Sequence, residues 1–402
     1  MKFSSLVLSA LFFCQPLSAQ YTSNVAGVAQ ALDYLLQTNT PVVGTLHAIL
    51  GQYVQLTYLD TLLYDLSTLA PIVDGAVLTE SFHNLNVVFD SIDERLTLMH
   101  VQNAARFGYR SIYHNGIAAG DGEAGQGIWG QVFGFNAHQE DRELIQGYTG
   151  GALGFTLGGD AMFSDYALLG AAVNYARTSI ENNVSANSET RIESYQGLLY
   201  GQLSAYGSPL FFNWIASIGA NNTIADRTII FGNLQLSAHG HYSGIQYGAQ
   251  GELGYDFARV GFHTIPLVSL LYSHLGLDKY TETGAGTADQ IVNASDFDML
   301  LGGIGAMFLY DFEFQTTLFE PEFHLRIFYD FFHDRMAIIS QFTGGGPSFS
   351  TSGFNPPAVS YNIGASATLT QIGGFVYTAS YDFDVQKHYT ANAGYLRVRY
   401  EW

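Results

Sequence analysis

From residue 126 onward the chain repeats one pattern of apolar and polar positions. In Val359–Leu369, the residues Val359, Tyr361, Ile363, Ala365, Ala367 and Leu369 share one face, and Ser360, Asn362, Ser366 and Thr368 share the other. Side chains alternate between faces only along a strand. In Phe375–Val385 an apolar face opposes Thr378, Ser380, Asp382 and Asp384; in Phe319–Phe331 one opposes Glu320, Glu322, His324, Arg326 and Asp330. Tyr247, Ala249, Leu253, Tyr255 and Phe257 alternate with Gln250, Glu252 and Asp256. The last stretch sets Leu396, Val398, Tyr400 and Trp402 against Tyr395, Arg397, Arg399 and Glu401, and runs to the final residue. Fainter runs at Tyr166–Tyr175 and Ser194–Leu203 carry small residues in place of the polar ones. Each run reaches the ~9–11 residues that a tilted strand needs to cross lipid.

The pattern predicts twelve strands, centred near residues 131, 155, 171, 199, 215, 250, 270, 304, 325, 364, 380 and 397. Their connections alternate in length. Gly158–Ser164, Tyr206–Pro209, Ala258–His263, Phe312–Thr316 and Gln371–Gly374 read as short turns. Polar stretches near 137–147, 178–190, 221–243, 278–295, 332–358 and 385–391 read as longer loops. Outer-membrane barrels have short periplasmic turns and longer extracellular loops. An even strand count with this alternation puts both ends of the barrel in the periplasm. The expected fold is an all-β transmembrane, twelve-stranded antiparallel outer-membrane β-barrel preceded by a helical N-terminal region.

That region has another period. Val25, Val28, Leu32 and Leu35 recur at helical spacing, with Asn24 as a candidate N-cap. A second apolar stretch, Tyr53 to Leu69, stops before Pro71. The third is the clearest: Phe82, Leu85, Phe89, Ile92, Leu96 and Met99 form one face of an amphipathic helix, with Asp90, Asp93, Glu94 and Arg95 mostly opposite. The Gly-rich run from Ala118 to Gly127 reads as a flexible linker, because Asp121 and Glu123 lack the ligand periodicity of a calcium loop.

Composition supports lipid as the surrounding solvent. Charged residues are 12% of the chain, against about 25% in typical soluble domains. Aromatics reach 14%, and no long uninterrupted apolar run follows the start. The net charge of −20 argues against nucleic acid as a partner and gives the lumen or loops a tendency to favour cations. Lys2, the apolar stretch Leu6–Phe13 and Pro16-Leu-Ser-Ala19 read as a secretory signal cut after Ala19. The one cysteine, Cys14, lies inside it, behind a Phe-Phe pair that spoils a lipoprotein cleavage box. The mature chain is thus expected without thiols, as suits export through a periplasm. The expected division is 1–19 signal peptide, 20–115 helical region, 116–125 linker and 126–402 barrel.

Four stretches together resemble a known family: Trp129-Gly-Gln-Val-Phe-Gly, Gln246-Tyr-Gly-Ala-Gln-Gly-Glu-Leu-Gly-Tyr255, Pro321-Glu-Phe-His324 and Tyr400-Glu-Trp402. With Val25–Leu36 and Leu78–Leu98 before them, the chain resembles the translocator β-domain of autotransporters, the type V secretion proteins, and the helical stretch that precedes it. The resemblance implies a monomeric barrel in outer-membrane lipid and lipopolysaccharide, inserted by the barrel assembly machinery after export by the secretion translocon. Leu396, Val398, Tyr400 and Trp402 would then be the assembly signal. It also implies a helix in the lumen, set against the lumen-facing charges Glu252, Glu320, Glu322, His324, Arg326, Asp382, Asp384, Arg397 and Arg399, and an upstream segment carried to the cell surface or anchored there. Only about a hundred residues precede the barrel, without the repetitive passenger that such proteins normally carry. The alternative is a stand-alone pore or adhesin that binds through its loops.

Candidate chemistry is thin. Some members of that family cut themselves in the lumen with an acid and a linker asparagine; Asn103 and Asn115, which precedes Gly116, are the asparagines in question. Glu320, Glu322, Arg326, Asp382 and Asp384 could serve acid–base chemistry, but a hydrated charge ladder is the reading preferred. His239-Gly-His241 lacks further ligands at metal spacing. No nucleophile elbow or phosphate loop is present. No catalytic, metal or cofactor site is assigned, and no cofactor is expected.

Overall fold

The computed structural model describes residues 19–402 apart from 39–40, 56–58, 73–74, 107–125, 142–144, 165, 183–187, 206–207, 315–316, 334, 354–355 and 372. Among the described residues four helices come first: α1 (Ala19–Gln37), α2 (Gly44–Tyr53), α3 (Leu59–Leu69) and α4 (Ala76–Arg106). Twelve long strands follow. They are β1 (Gln126–Gln139), β2 (Tyr148–Ser164), β3 (Ala167–Asn182), β4 (Glu189–Ser204), β5 (Leu210–Phe231) and β6 (Leu234–Tyr255), then β7 (Phe262–Leu277), β8 (Phe297–Tyr310), β9 (Thr317–Asp330), β10 (Val359–Gln371), β11 (Phe375–Gln386) and β12 (Tyr389–Glu401). Each pairs antiparallel with its chain neighbours, and β12 pairs with β1 from Gly127↔Glu401 to Gln139↔Tyr389. The sheet therefore closes, and no edge strand is left open to lipid.

Alternation decides which side chains face out. On β12, Leu396, Val398 and Tyr400 are exposed on the outer wall, as is Trp402 just after it, while Tyr395, Arg397 and Arg399 are buried. The same division runs round the barrel: Val132, Phe155, Val173, Leu199, Ile218 and Leu253 are among the exposed apolar residues. An outer wall of this kind is stable only against hydrocarbon.

All twelve expected strand centres fall within strands, but several connections differ from expectation. Gly158–Ser164 is not a turn; β2 runs through it to Ser164 and the connection to β3 follows. Gly-rich sequence there serves strand packing rather than turning. A Cβ on Gly158 would lie 2.5 Å from the Trp129 ring, and one on Gly170 would strike Tyr200. The stretch 221–243 is not an open loop. β5 and β6 stay paired out to Phe231↔Leu234 and turn at Gly232-Asn233, with Gly232 at φ +59°. Stretch 385–391 shrinks to the pair Lys387-His388. Loops 278–295 and 332–358 contain strands of their own: Tyr280–Thr281, Gln290–Ala294, Ala337–Phe342 and Phe349–Ser352 form a second, four-stranded sheet at the long-loop end.

The helical region also differs in detail. The apolar stretch Tyr53–Leu69 is divided between the end of α2 and all of α3. Asn24 is not a cap but lies inside α1, where its amide pairs with the backbone of Ser352 (Nδ2 to O, 3.0 Å; Oδ1 from N, 2.9 Å). The expected signal peptide up to Ser18, the linker 116–125 and Asn115 lie outside the described residues, as does the side chain of Asn103.

Helices α1–α3 do not enter the barrel. Val28, Leu32, Leu46, Ile49 and Leu66 are fully buried in one core with Ile229 and Phe231 of the projecting β5–β6 hairpin and Phe342 and Phe349 of the second sheet. Polar locks fix the seat. Arg227 donates to both oxygens of Glu282 (3.0 and 2.6 Å) and to the Thr68 carbonyl (2.8 Å). Gln290 donates to the Leu69 carbonyl, so two carbonyls left unpaired by the end of α3 are satisfied by side chains from the platform. Asp65 accepts from the Gly232 amide at 2.6 Å.

Candidate functional site

The lumen is the site, and α4 fills it. Helix α4 is 31 residues long, and a helix ~10–12 Å across matches the bore of a small barrel. Its N-terminal Ala76 packs with Ala137, Tyr148, Ile180, Ile192 and Tyr389 at the long-loop end. Its Val101 packs with Phe211, Ile265, Met307 and Leu309 beside the short turns. The helix thus runs the length of the barrel, with the upstream chain at the long-loop end and Arg106 toward the start of β1.

The expected helix face is where the apolar contact lies. Leu85, Phe89, Ile92 and Leu96 are fully buried, and Phe82 and Met99 nearly so. Phe82 meets Phe297 with ring centroids 5.4 Å apart. What differs is the opposite side. Asp93, Glu94 and Arg95 are buried too, because the barrel surrounds the helix.

Buried charges need partners, and the wall supplies them. Arg326 donates to Asp90 at 2.8 Å and reaches Asp93 at 3.4 Å and Glu252 at 3.7 Å. Arg397 donates to the Ser91 carbonyl and stacks over Trp129 and Tyr395 (5.5 and 4.7 Å). Gln131 donates to the Ser91 hydroxyl at 2.9 Å, Gln102 to Glu320 at 2.6 Å, and Tyr395 to Glu94. His324 bridges Glu322 and Asp382, 2.9 Å on each side. Asn362 donates to Asp384 at 3.0 Å. Every charged residue singled out on the inner face therefore lines the lumen, and the strand register brings Glu322, His324, Arg326, Asp382 and Asp384 into one cluster.

A second cluster was not read from the sequence. Asp160 takes an ion pair from Arg95 on one side and from Arg399 at 2.9 Å on the other, and accepts from the Tyr200 hydroxyl at 2.8 Å. Trp129 faces the lumen and donates its indole N–H to Tyr200 at 2.7 Å. Asn213 joins helix to wall through Asp93 (2.9 Å) and Thr97 (3.0 Å). Asp160 sits among glycines where the alternation is faint; its odd status as the one charge in that run was the available signal.

Of the remaining candidates, His239 bonds Asp226 at 2.7 Å on the projecting hairpin. Among the described residues no group of three or more His, Cys, Asp or Glu is placed to hold a metal ion.

A family model described as the autotransporter beta-domain matches residues 128–382, well over half of the chain. Outer membrane protein B of Rickettsia prowazekii (strain Madrid E) is 25% identical over 389 residues, which are 94% of this chain and 23% of that protein. Outer membrane protein A of Rickettsia conorii (strain ATCC VR-613 / Malish 7) is 27% identical over 325 residues, 79% of this chain and 16% of that one. The chain spans under a quarter of the length of these relatives. Among solved structures, the translocator domain of autotransporter NalP from Neisseria meningitidis superposes with a TM-score of 0.57 at 15% identity, covering 80% of this chain and 98% of that domain. The beta domain of the Bordetella autotransporter BrkA gives 0.51 at 12% identity, over 69% and 100%. At such identities the structures show a shared fold. With the family model, the lipid-facing wall and the helix in the bore, they lead to one conclusion: this chain belongs to the autotransporters and forms their outer-membrane β-barrel.

Proposed function

We propose that the barrel carries its own N-terminal segment to the outer face of the membrane and keeps it there. One observation carries this reading: α4 occupies the bore from end to end, and the chain before it is seated on the long loops. Short turns mark the periplasmic end, so α1–α3 lie outside the cell. In this reading α4 is both tether and plug, and the action is mechanical, with no catalytic step.

The remaining roles follow from it. Residues 1–19 act as the signal for the secretion translocon, and 116–125 join the helix to β1. The exposed face of Leu396, Val398, Tyr400 and Trp402 is read by the barrel assembly machinery. Lipid and lipopolysaccharide surround a monomeric barrel. Whatever a longer passenger does in the relatives lies outside this reading.

Because Cys14 is the sole cysteine, single-cysteine variants test the topology. Val54 is 67% exposed on the surface helices and Val260 is 99% exposed at a short turn. A membrane-impermeant thiol reagent applied to intact cells is expected to label Val54→Cys and spare Val260→Cys until the outer membrane is opened. Labelling of Val260→Cys alone would reverse the topology and end the reading.

A further inference from the structure

The helix does not sit centrally in its bore. It lies closest to β2–β6, where Arg95 is sandwiched between Trp129 of β1 and Tyr200 of β4 and paired with Asp160. On the side of β8–β12 a gap remains. Two adjoining cavities, of about 150 and 70 Å³, follow α4 inward from the outer mouth and share His83, Asn86, Leu301, Ser360 and Asp384 as walls.

The lining is acidic. Asp330 and Asp384 border the outer cavity; Asp90, Glu94, Asp382 and Asp384 border the inner one. The bases there are His83, His324 and Arg326. Arg326 is engaged by Asp90 and His324 by Asp382. That leaves Asp330, Asp384 and Glu94 held by neutral donors: the Phe332 amide at 3.1 Å, Asn362 at 3.0 Å and the Tyr395 hydroxyl. His83 adds a separate observation. It is 8% exposed, lies on the wall of both cavities, and its Nε2 has no hydrogen-bond partner among the described residues. A buried polar atom in this state calls for a partner from the gap itself, which water in an ion's hydration shell supplies. Below Glu94 the same side continues through Glu322, Ser366, Thr368 and Thr378, all inward and polar.

We propose that this gap is a path for small monovalent cations past the helix, so that the plugged barrel conducts weakly and prefers cations to anions. Carboxylates along a narrow path with low-dielectric walls concentrate cations and repel anions. The inference rests on where α4 lies in the lumen and holds whether or not α1–α3 are displayed.

The test is the reversal potential of the purified full-length chain in a planar bilayer under a potassium chloride gradient. The expected result is a small conductance with a reversal potential of the cation sign. In the double variant Asp330→Asn/Asp384→Asn that potential moves roughly halfway or more toward zero, while Glu181→Gln, an exposed change on the outer wall, leaves it unchanged. Ser360→Phe, which narrows the shared wall of the two cavities, lowers the conductance with the preference retained. Resistance to unfolding in detergent confirms that each variant is folded. A reversal potential at zero or of the anion sign, or a folded barrel that conducts no more than bare lipid, would overturn the proposal.

Discussion

Asp160 meets arginines from two elements, Arg95 of the helix and Arg399 of the last strand, and its side chain is fully buried. Removing one member of such a group leaves an uncompensated buried charge, which costs about 3–5 kcal/mol. Asp160→Asn is therefore expected to lower the unfolding temperature of the barrel in detergent, read by the heat-dependent shift of its band on a gel; an unchanged transition would contradict the role given to the cluster. Gly158→Val acts on the same group through space, since the new Cβ displaces the Trp129 ring that holds Tyr200. It is expected to destabilise in the same direction, with a change in Trp129 fluorescence. Neither effect was legible beforehand. Period two assigns a side chain to the lumen but does not set the register between strands, which is why Arg397 and Arg399 could be read as inward while Asp160, two strands round the wall, could not be named as the partner of Arg399. Trp129 shows the same limit: glycines on the adjacent strand, not its own position, let its ring lie flat on the inner wall.

At the scale of elements, α1–α3 are held on the loops by the Arg227–Glu282 pair and by bonds to the last carbonyls of α3. Arg227→Ala is expected to leave the barrel folded and make residues 19–75 sensitive to protease added outside intact cells; persistence of the segment would show that the apolar core alone holds it. A pH dependence belongs here too. Burial lifts the Asp33 carboxyl above its ordinary range, and the Tyr53 hydroxyl, 3.3 Å away, offsets part of the lift. A raised value in the folded unit means that ionisation weakens it. Its contribution is complete below the ordinary carboxyl value and is lost as pH rises through the raised one. Protease resistance of the seated segment should fall as pH rises above the ordinary carboxyl range, and Asp33→Asn should flatten that fall. The elements themselves were largely legible, because strong alternation over ten or more residues leaves few alternatives. The β5–β6 extension and the second sheet were not: their alternation is interrupted by polar residues that pair with α3 and with each other, so they read as loop.

For the whole molecule, closure of the sheet and occupation of its bore are one event. A twelve-stranded barrel leaves a lumen, and a lumen lined by Glu252, Glu322, Arg326, Arg397 and Arg399 is stable when those charges find partners. Helix α4 supplies them for Arg326 and Arg397, and the wall itself for Glu322 and Arg399. The amphipathic face Phe82–Met99 was legible as a helix, yet its surroundings were not, since burial on every side is a property of the barrel and not of the helix. Single-channel recording in planar bilayers tests this occupation most directly. The full chain is expected to show small steps, and a chain lacking residues 20–106 large and persistent ones. Equal conductance from the two would mean that α4 does not fill the bore.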